Sequence, residues 1–279
     1  MGLNTALAGK EYPSKSYEVT AEAIRKYAEA TNEDNPFFTT EDPPLAPPAF
    51  LVVPAAESLR EAMVDEELGA DLSRLVHLEQ EHIFHVPIKA GDVLEVKASL
   101  EEVETPDTGH FFTVKMDLNN EGGQLAAEAK SKMFIRKSGS GGRAPKGEDE
   151  KEPVYILETP EKVDENQTYR YAEASGDDNP IHVDPEYARD TAQLPGIILQ
   201  GMCTMAFAAK AVLNGVGGAD PSRLRKIKVS FARPAFPGQT LTTRIWRKDD
   251  DGLKSVYGFD TVNPSGGTVI KDGIAEITY

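Results

Sequence analysis

Two hydrophobic rhythms run through the chain. Leu94-Glu-Val-Lys-Ala-Ser-Leu100 and Phe112-Thr-Val-Lys-Met-Asp-Leu118 place an apolar residue at every second position, the period of a strand with one buried face. Ile227-Lys-Val-Ser-Phe-Ala232 and Leu241-Thr-Thr-Arg-Ile-Trp246 each offer one apolar face too. The stretch Leu194–Leu213 differs, being apolar on nearly every side until its C-terminal end. A helix of that kind must be covered on most faces, and an antiparallel sheet needs its apolar face covered. The pattern therefore predicts an α+β unit in which a sheet curls around one long helix. Helix-like segments followed by alternating strands occur in both halves, so the unit is expected twice, packed sheet edge to sheet edge.

A sequence repeat supports the duplication. Tyr27-Ala-Glu-Ala-Thr-Asn-Glu-Asp-Asn-Pro-Phe-Phe38 returns 144 residues later as Tyr171-Ala-Glu-Ala-Ser-Gly-Asp-Asp-Asn-Pro-Ile-His182. Further on, Pro87 and Gly91 in His85–Leu94 match Pro234 and Gly238 in Ala232–Leu241 at an offset of 147, so the first copy has lost about three residues, best placed near Thr39–Pro48. Pro185-Glu-Tyr-Ala-Arg-Asp-Thr-Ala192 reads as a helix with Asp184 as its N-cap, whereas Thr39–Pro48 holds four prolines and cannot. The segment Ser138–Glu152 is Gly, Ser and charge without an apolar anchor, the composition of a flexible linker. The expected organisation is a first unit at 1–137, a linker at 138–152 and a second unit at 153–279.

Composition narrows the function classes. A formal charge of −16 and a pI near 4.8 argue against a nucleic-acid partner, which would meet a basic face. The single cysteine, Cys203, excludes an internal disulfide framework and fits a reducing compartment. Met1–Lys10 has no basic start followed by a long apolar run, no stretch approaches the ~20 apolar residues of a membrane span, and Ile277-Thr-Tyr279 is no peroxisomal address. A cytoplasmic protein without a membrane partner is expected.

The two copies of the repeat differ in chemistry. The second keeps Asp177, Asn179 and His182 in a turn-rich run, while the first has Glu33 in place of Asp177 and Phe38 in place of His182. A carboxylate and an imidazole converging on one water can divide proton removal and proton delivery between them, with Asn179 orienting the water or the ring. Addition of water to an α,β-unsaturated thioester builds negative charge on the carbonyl oxygen, which a backbone N–H at a helix start can meet. Gly201, leading into the apolar helix, is the candidate donor, since glycine lets a substrate approach closely.

At these residues the chain resembles the MaoC-like hydratases of the hot-dog fold, in particular the type 2, (R)-specific enoyl-CoA hydratases with two hot-dog units in one polypeptide. Ser175–Pro185, Gly201-Met-Cys-Thr204 and Ile227–Leu241 carry the likeness. The resemblance implies a double hot-dog and the reversible hydration of trans-2-enoyl-CoA to (R)-3-hydroxyacyl-CoA, with Asp177 and His182 as the catalytic pair. Asn179 would support them and Gly201 would donate to the oxyanion. The CoA thioester would be the substrate, and no cofactor is implied. The family commonly has His before that glycine, and here Gln200 stands there. A first unit without catalysis would house the acyl chain in an apolar channel walled by Phe37, Phe38, Phe50 and Leu51. Two units in one chain make a pseudo-dimer, so a monomer and a homodimer both fit.

Other chemistries fit the same fold. The same mechanism could run as a dehydratase on acyl-carrier-protein thioesters or on a branched or sterol-derived acyl-CoA. A hot-dog thioesterase or a non-catalytic acyl-CoA-binding subunit would also be compatible with two such units. His77, His82 and His85 do not read as a metal site, because strand alternation sends 77 and 85 to one face and 82 to the other. Cys203 reads as core. Arg223, Arg225 and Lys226 are candidates for clamping the CoA phosphates, with a solvated strand end the competing reading.

Overall fold

The computed structural model describes residues 2–136 and 153–279; the expected linker at 138–152 lies outside them. Each half opens on a short strand, β1 (Lys15–Glu18) or β6 (Leu157–Lys162), and an amphipathic helix, α1 (Ala21–Ala30) or α4 (Gln167–Ser175). A one-turn helix follows, α2 (Pro36–Thr39) or α5 (Pro180–Val183), and then the central helix, α3 (Val52–Met63) or α6 (Gly201–Val216). Four long strands complete the first half, β2 (Leu75–Phe84), β3 (Val93–Glu104), β4 (His110–Asn120) and β5 (Leu125–Ile135). Their counterparts are β7 (Leu224–Phe231), β8 (Thr240–Asp250), β9 (Lys254–Val262) and β10 (Thr268–Thr278).

The ends of these elements follow from local chemistry. Thr20 caps α1, its hydroxyl accepting the Ala23 N–H at 3.1 Å. Gly176 closes α4 in the left-handed conformation, φ 77°, which turns the chain into the loop that carries Asp177. Asp184 accepts the N–H groups of Glu186 and Tyr187 at 2.9 and 3.0 Å, the N-cap its position implies. The turn it starts winds as a π-helix over Tyr187–Thr191. Residues 40–47 of the first copy form no helix.

All ten strands join one antiparallel sheet in the order β1-β3-β4-β5-β2-β7-β10-β9-β8-β6. The halves meet along β2 and β7, from Glu79 opposite Ser230 to Ile83 opposite Lys226. Lys226 pairs with Glu81 at 2.6 Å and Lys228 with Glu79 at 2.8 Å across this seam. Beneath the sheet, Tyr27 and Tyr171 occupy the same position of the repeat, and their buried hydroxyls meet at 3.3 Å. Eleven of the sixteen residues of α6 are buried, as its all-round apolar sequence requires. Two helix-in-sheet units fused along one seam make a double hot-dog. No helix among the described residues is long and apolar enough to cross a membrane.

Strand β2 corrects one expectation. Its ladder with β5 slips by a residue between His77 and Glu79. That bulge reverses the alternation, so His77 lies opposite buried Met133 and faces inward, as His82 does. His85 faces out and bonds Glu128 at 2.9 Å. His82 donates through Nδ1 to the Pro48 carbonyl at 3.0 Å, and its Nε2 has no partner among the described residues.

Burial lowers the pKa of His82 to about 4, below the roughly 6.5 of an unfolded chain. The stabilisation from keeping it neutral is complete above pH ~6.5 and is lost as pH falls toward 4, because the unfolded chain takes up the proton first. At pH 5 this amounts to about 2 kcal/mol. His82→Gln, which keeps a donor for Pro48, should show a smaller loss of urea stability between pH 7 and pH 5 than the wild type. Equal losses would show that His82 is not the source.

Candidate active site

The loop after Gly176 presents the acid. Ser175 Oγ donates to the Tyr171 carbonyl at 2.7 Å and accepts the Asp177 N–H at 3.2 Å, which sets the direction of the turn. Asn179 caps α5, its Oδ1 accepting the Ile181 N–H at 3.3 Å, with Pro180 at the first helical position. One turn on, His182 is buried, and its Nδ1 lies 2.7 Å from the Ile198 carbonyl. A carbonyl only accepts, so Nδ1 carries the hydrogen and a neutral ring keeps a lone pair on Nε2. That nitrogen lies 3.9 Å from Asp177 Oδ2. The gap is too long for a direct hydrogen bond but suits one water touching both atoms at about 2.8 Å. His182 is enclosed while the Asp177 side chain is 42% exposed, so the water has a way in.

Gly201 opens α6, where the first N–H groups of a helix have no acceptor within it. A Cβ there would stand 3.3 Å from the Phe231 ring. Asp177, His182 and Gly201 are thus placed by a loop, a one-turn helix and a long buried helix. The first copy makes nothing equivalent. Its Glu33 turns its carboxylate onto the N–H groups of Asp34 and Asn35 at 3.0 and 3.1 Å. Burial raises the pKa of that carboxyl against those bonds. Asn35 donates to the Ala219 carbonyl of the second unit at 2.8 Å.

His77 comes to this site from the first unit, which alternation alone concealed. Its ring lies 5.0 Å from the Phe231 ring that backs Gly201. Nε2 contacts the Glu79 carbonyl at 3.1 Å and Gln80 Oε1 at 3.0 Å. Burial drives its pKa down to about 4, and the nearby Asp177 carboxylate opposes the shift only weakly. A bulge is invisible in one strand's sequence, and Gln80 and His82 are polar on the same inward face, so the sequence of β2 does not single His77 out.

The duplicate end of the seam holds a small apolar cleft, partly open to solvent, lined by Leu45, Pro48, Leu51, Phe84, Ile88, Leu224 and Arg225 among others. It is the repeat-related counterpart of the candidate site. Ala46 N–H bonds the Ile88 carbonyl as Leu199 N–H bonds that of Ala235, both at 2.8 Å, which sets Pro48 at the place of Gly201. Phe84 then matches Phe231, and Leu224, opposite Ile277, matches His77, opposite Met133. Of the four residues expected to wall a channel, Leu51 lines this cleft. Phe38 and Phe50 are fully buried in the core, Phe50 edge-on to Tyr27, and Phe37 is partly exposed.

The three candidate cations do not converge on one phosphate site. Arg223 donates to the Thr278 and Gly217 carbonyls, Lys226 pairs with Glu81, and Arg225 reaches the His85 carbonyl at 3.4 Å on the cleft side. Cys203 is buried and its thiol pKa is pushed up by desolvation, which removes the reactive thiolate. Among the described residues no three His, Cys, Asp or Glu side chains gather as metal ligands would.

Both halves of the chain match families of known proteins. Residues 148–264 match the MaoC like domain, and residues 6–129 match the FAS1-like, dehydratase domain region. A 3-hydroxyacyl-thioester dehydratase Y from Mycobacterium tuberculosis is 30% identical over 215 residues, 72% of either chain. The chain belongs to the MaoC-like dehydratase family. It is a hydro-lyase of the hydratase and dehydratase type. A peroxisomal enoyl-CoA hydratase 2 from Arabidopsis thaliana is 28% identical over 228 residues, 75% of this chain and 71% of its own length. A solved MaoC-like dehydratase shares the fold with a TM-score of 0.85 at 20% identity, over 98% of this chain and 99% of its own.

In this MaoC-like chain Gly201→Ala should lower turnover of crotonyl-CoA at least ~10-fold by forcing the helix start off the Phe231 ring. Gly201→Ala with Phe231→Leu should recover much of the loss, since the leucine leaves room for the methyl. No recovery in the double variant would refute crowding as the cause.

Proposed function

We propose that the protein catalyses reversible hydration of a trans-2-enoyl-CoA to the (R)-3-hydroxyacyl-CoA at the Asp177–His182 site. The supporting observation is the pair itself, a carboxylate and a tautomer-fixed imidazole 3.9 Å apart beside the free start of α6. One water is split between the two substrate carbons. Its oxygen bonds to C3 with loss of a proton to the pair, and a proton from the pair goes to C2. Charge that builds on the thioester oxygen is met by the Gly201 N–H and the positive end of α6. Asn179 Nδ2, exposed and without a partner among the described residues, is available to the same water. Addition is syn because both groups lie on one side. Electrons balance without a redox partner, so no cofactor enters the reading.

The reverse reaction, dehydration of a 3-hydroxyacyl thioester, uses the same groups, and the name of the M. tuberculosis relative favours that direction. The first unit serves as scaffold and, in the cleft at the duplicate end of the seam, as housing for the far end of a long acyl chain. Phe84 lies five residues along β2 from Glu79, which faces Ser230, a span of roughly 17 Å at strand rise. Only chains well beyond four carbons reach it. Because the units pair within one chain, a monomer is sufficient, and a homodimer is equally compatible.

Decay of crotonyl-CoA absorbance tests the chemistry. Asp177→Asn and His182→Gln should each lose at least ~10²-fold in turnover with folding retained, as proton-transfer roles require. Unchanged rates would refute the assignment, and release of free CoA would point to a thioesterase. For the housing, Leu51→Trp should depress turnover of long-chain enoyl-CoA while sparing crotonyl-CoA. Wild-type activity confined to four carbons would refute it.

A further inference from the structure

Gln200 stands where MaoC-like hydratases commonly carry histidine, and the structure gives its side chain a specific task. It is the N-cap residue of α6 and fully buried. Its amide nitrogen donates to the Thr168 carbonyl at 3.0 Å and to the Asp177 carbonyl at 3.2 Å. Thr168 belongs to the first turn of α4, a fixed point. The Asp177 carbonyl lies outside any helix or strand and receives no backbone N–H among the described residues. The amide oxygen is buried without a partner among the described residues. A buried orphan acceptor opposes folding, so nothing about the oxygen explains the amide. The two N–H groups do.

We propose that Gln200 is a positioning residue that sets the distance between the oxyanion donor and the acid. It is bonded through the chain to Gly201 and through its side chain to Asp177, so one residue joins the two parts of the site. Ser175 holds the Asp177 N–H from the other side, and with Gln200 on the carbonyl the Asp177 backbone is fixed at both ends. Two carbonyls need two N–H groups spread from one nitrogen, which a primary amide supplies. Histidine presents one N–H toward that side, methionine none. This inference rests on the Asp177–His182 reading of the site.

The test compares Gln200→Met, Gln200→His and Gln200→Glu in the full chain, with Asp177→Asn as reference, by kcat and KM for crotonyl-CoA and by thermal melting. Gln200→Met should lose at least ~10-fold in kcat with KM within about threefold, in a chain that stays folded at the assay temperature although its melting temperature falls because the Asp177 carbonyl loses its donor. Gln200→His should recover part of the loss. Gln200→Glu sets an acceptor-only group against two carbonyl oxygens, and protonation restores one donor, so its kcat relative to wild type should rise as pH falls. That pH signature serves even if the methionine variant fails to fold. Wild-type kcat in Gln200→Met, or a flat pH ratio in Gln200→Glu, overturns the inference. Full activity in Asp177→Asn would instead overturn the underlying reading and leave Gln200 with a structural role only.

Discussion

The antiparallel pairing of β2 with β7 is the constraint on which the rest depends. Each unit alone would expose a strand edge and one side of its central helix, an invitation to uncontrolled association. Joining the two edges removes both and makes one ten-stranded sheet. The same pairing carries first-unit residues to the second unit's site, so that His77 stands against Phe231. A site assigned to one half by sequence is in fact walled by both.

The pairing also explains how two copies could part in chemistry without parting in fold. A β ladder is held by backbone hydrogen bonds and an apolar inner face, and neither requires an acid or an imidazole in the loops. Phe38 at the place of His182, Pro48 at that of Gly201 and Leu224 at that of His77 all preserve an apolar interior. The first loop has become an internal contact instead. Gln167 and Arg170 bind the end of α1 through the Ala30 and Glu29 carbonyls, and Asn35 is tied to Ala219. The loop of the second copy instead stays partly exposed at Asp177.

Geometry divides the remaining work. His182 owes its free Nε2 to the Ile198 carbonyl on its other nitrogen, a bond between residues sixteen apart. Asp177 owes its backbone position to Ser175 on one side and Gln200 on the other. No partner is chemically unusual; what distinguishes the second copy is the convergence of these side chains at the start of one buried helix.

Much of this was legible in the chain. Apolar period two marked the strands, the all-round apolar run marked α6, and the repeat marked the duplication, because each depends on side-chain spacing along a single segment. The Asp177–His182 frame and its missing first copy were legible for the same reason. What depends on the partner strand was not. The slip at His77 exists only in the pairing of β2 with β5, and it moves His77 from the face of His85 to the inward face of His82. The cleft likewise took Leu51 but not Phe37, Phe38 or Phe50, since proline-rich loops carry no periodicity from which to read an orientation. Sequence alone determined the elements, their duplication and the half that keeps the acid and base. Only the tertiary structure decided which residues of the other half reach them, because a register between distant strands is set by their mutual hydrogen bonds and packing.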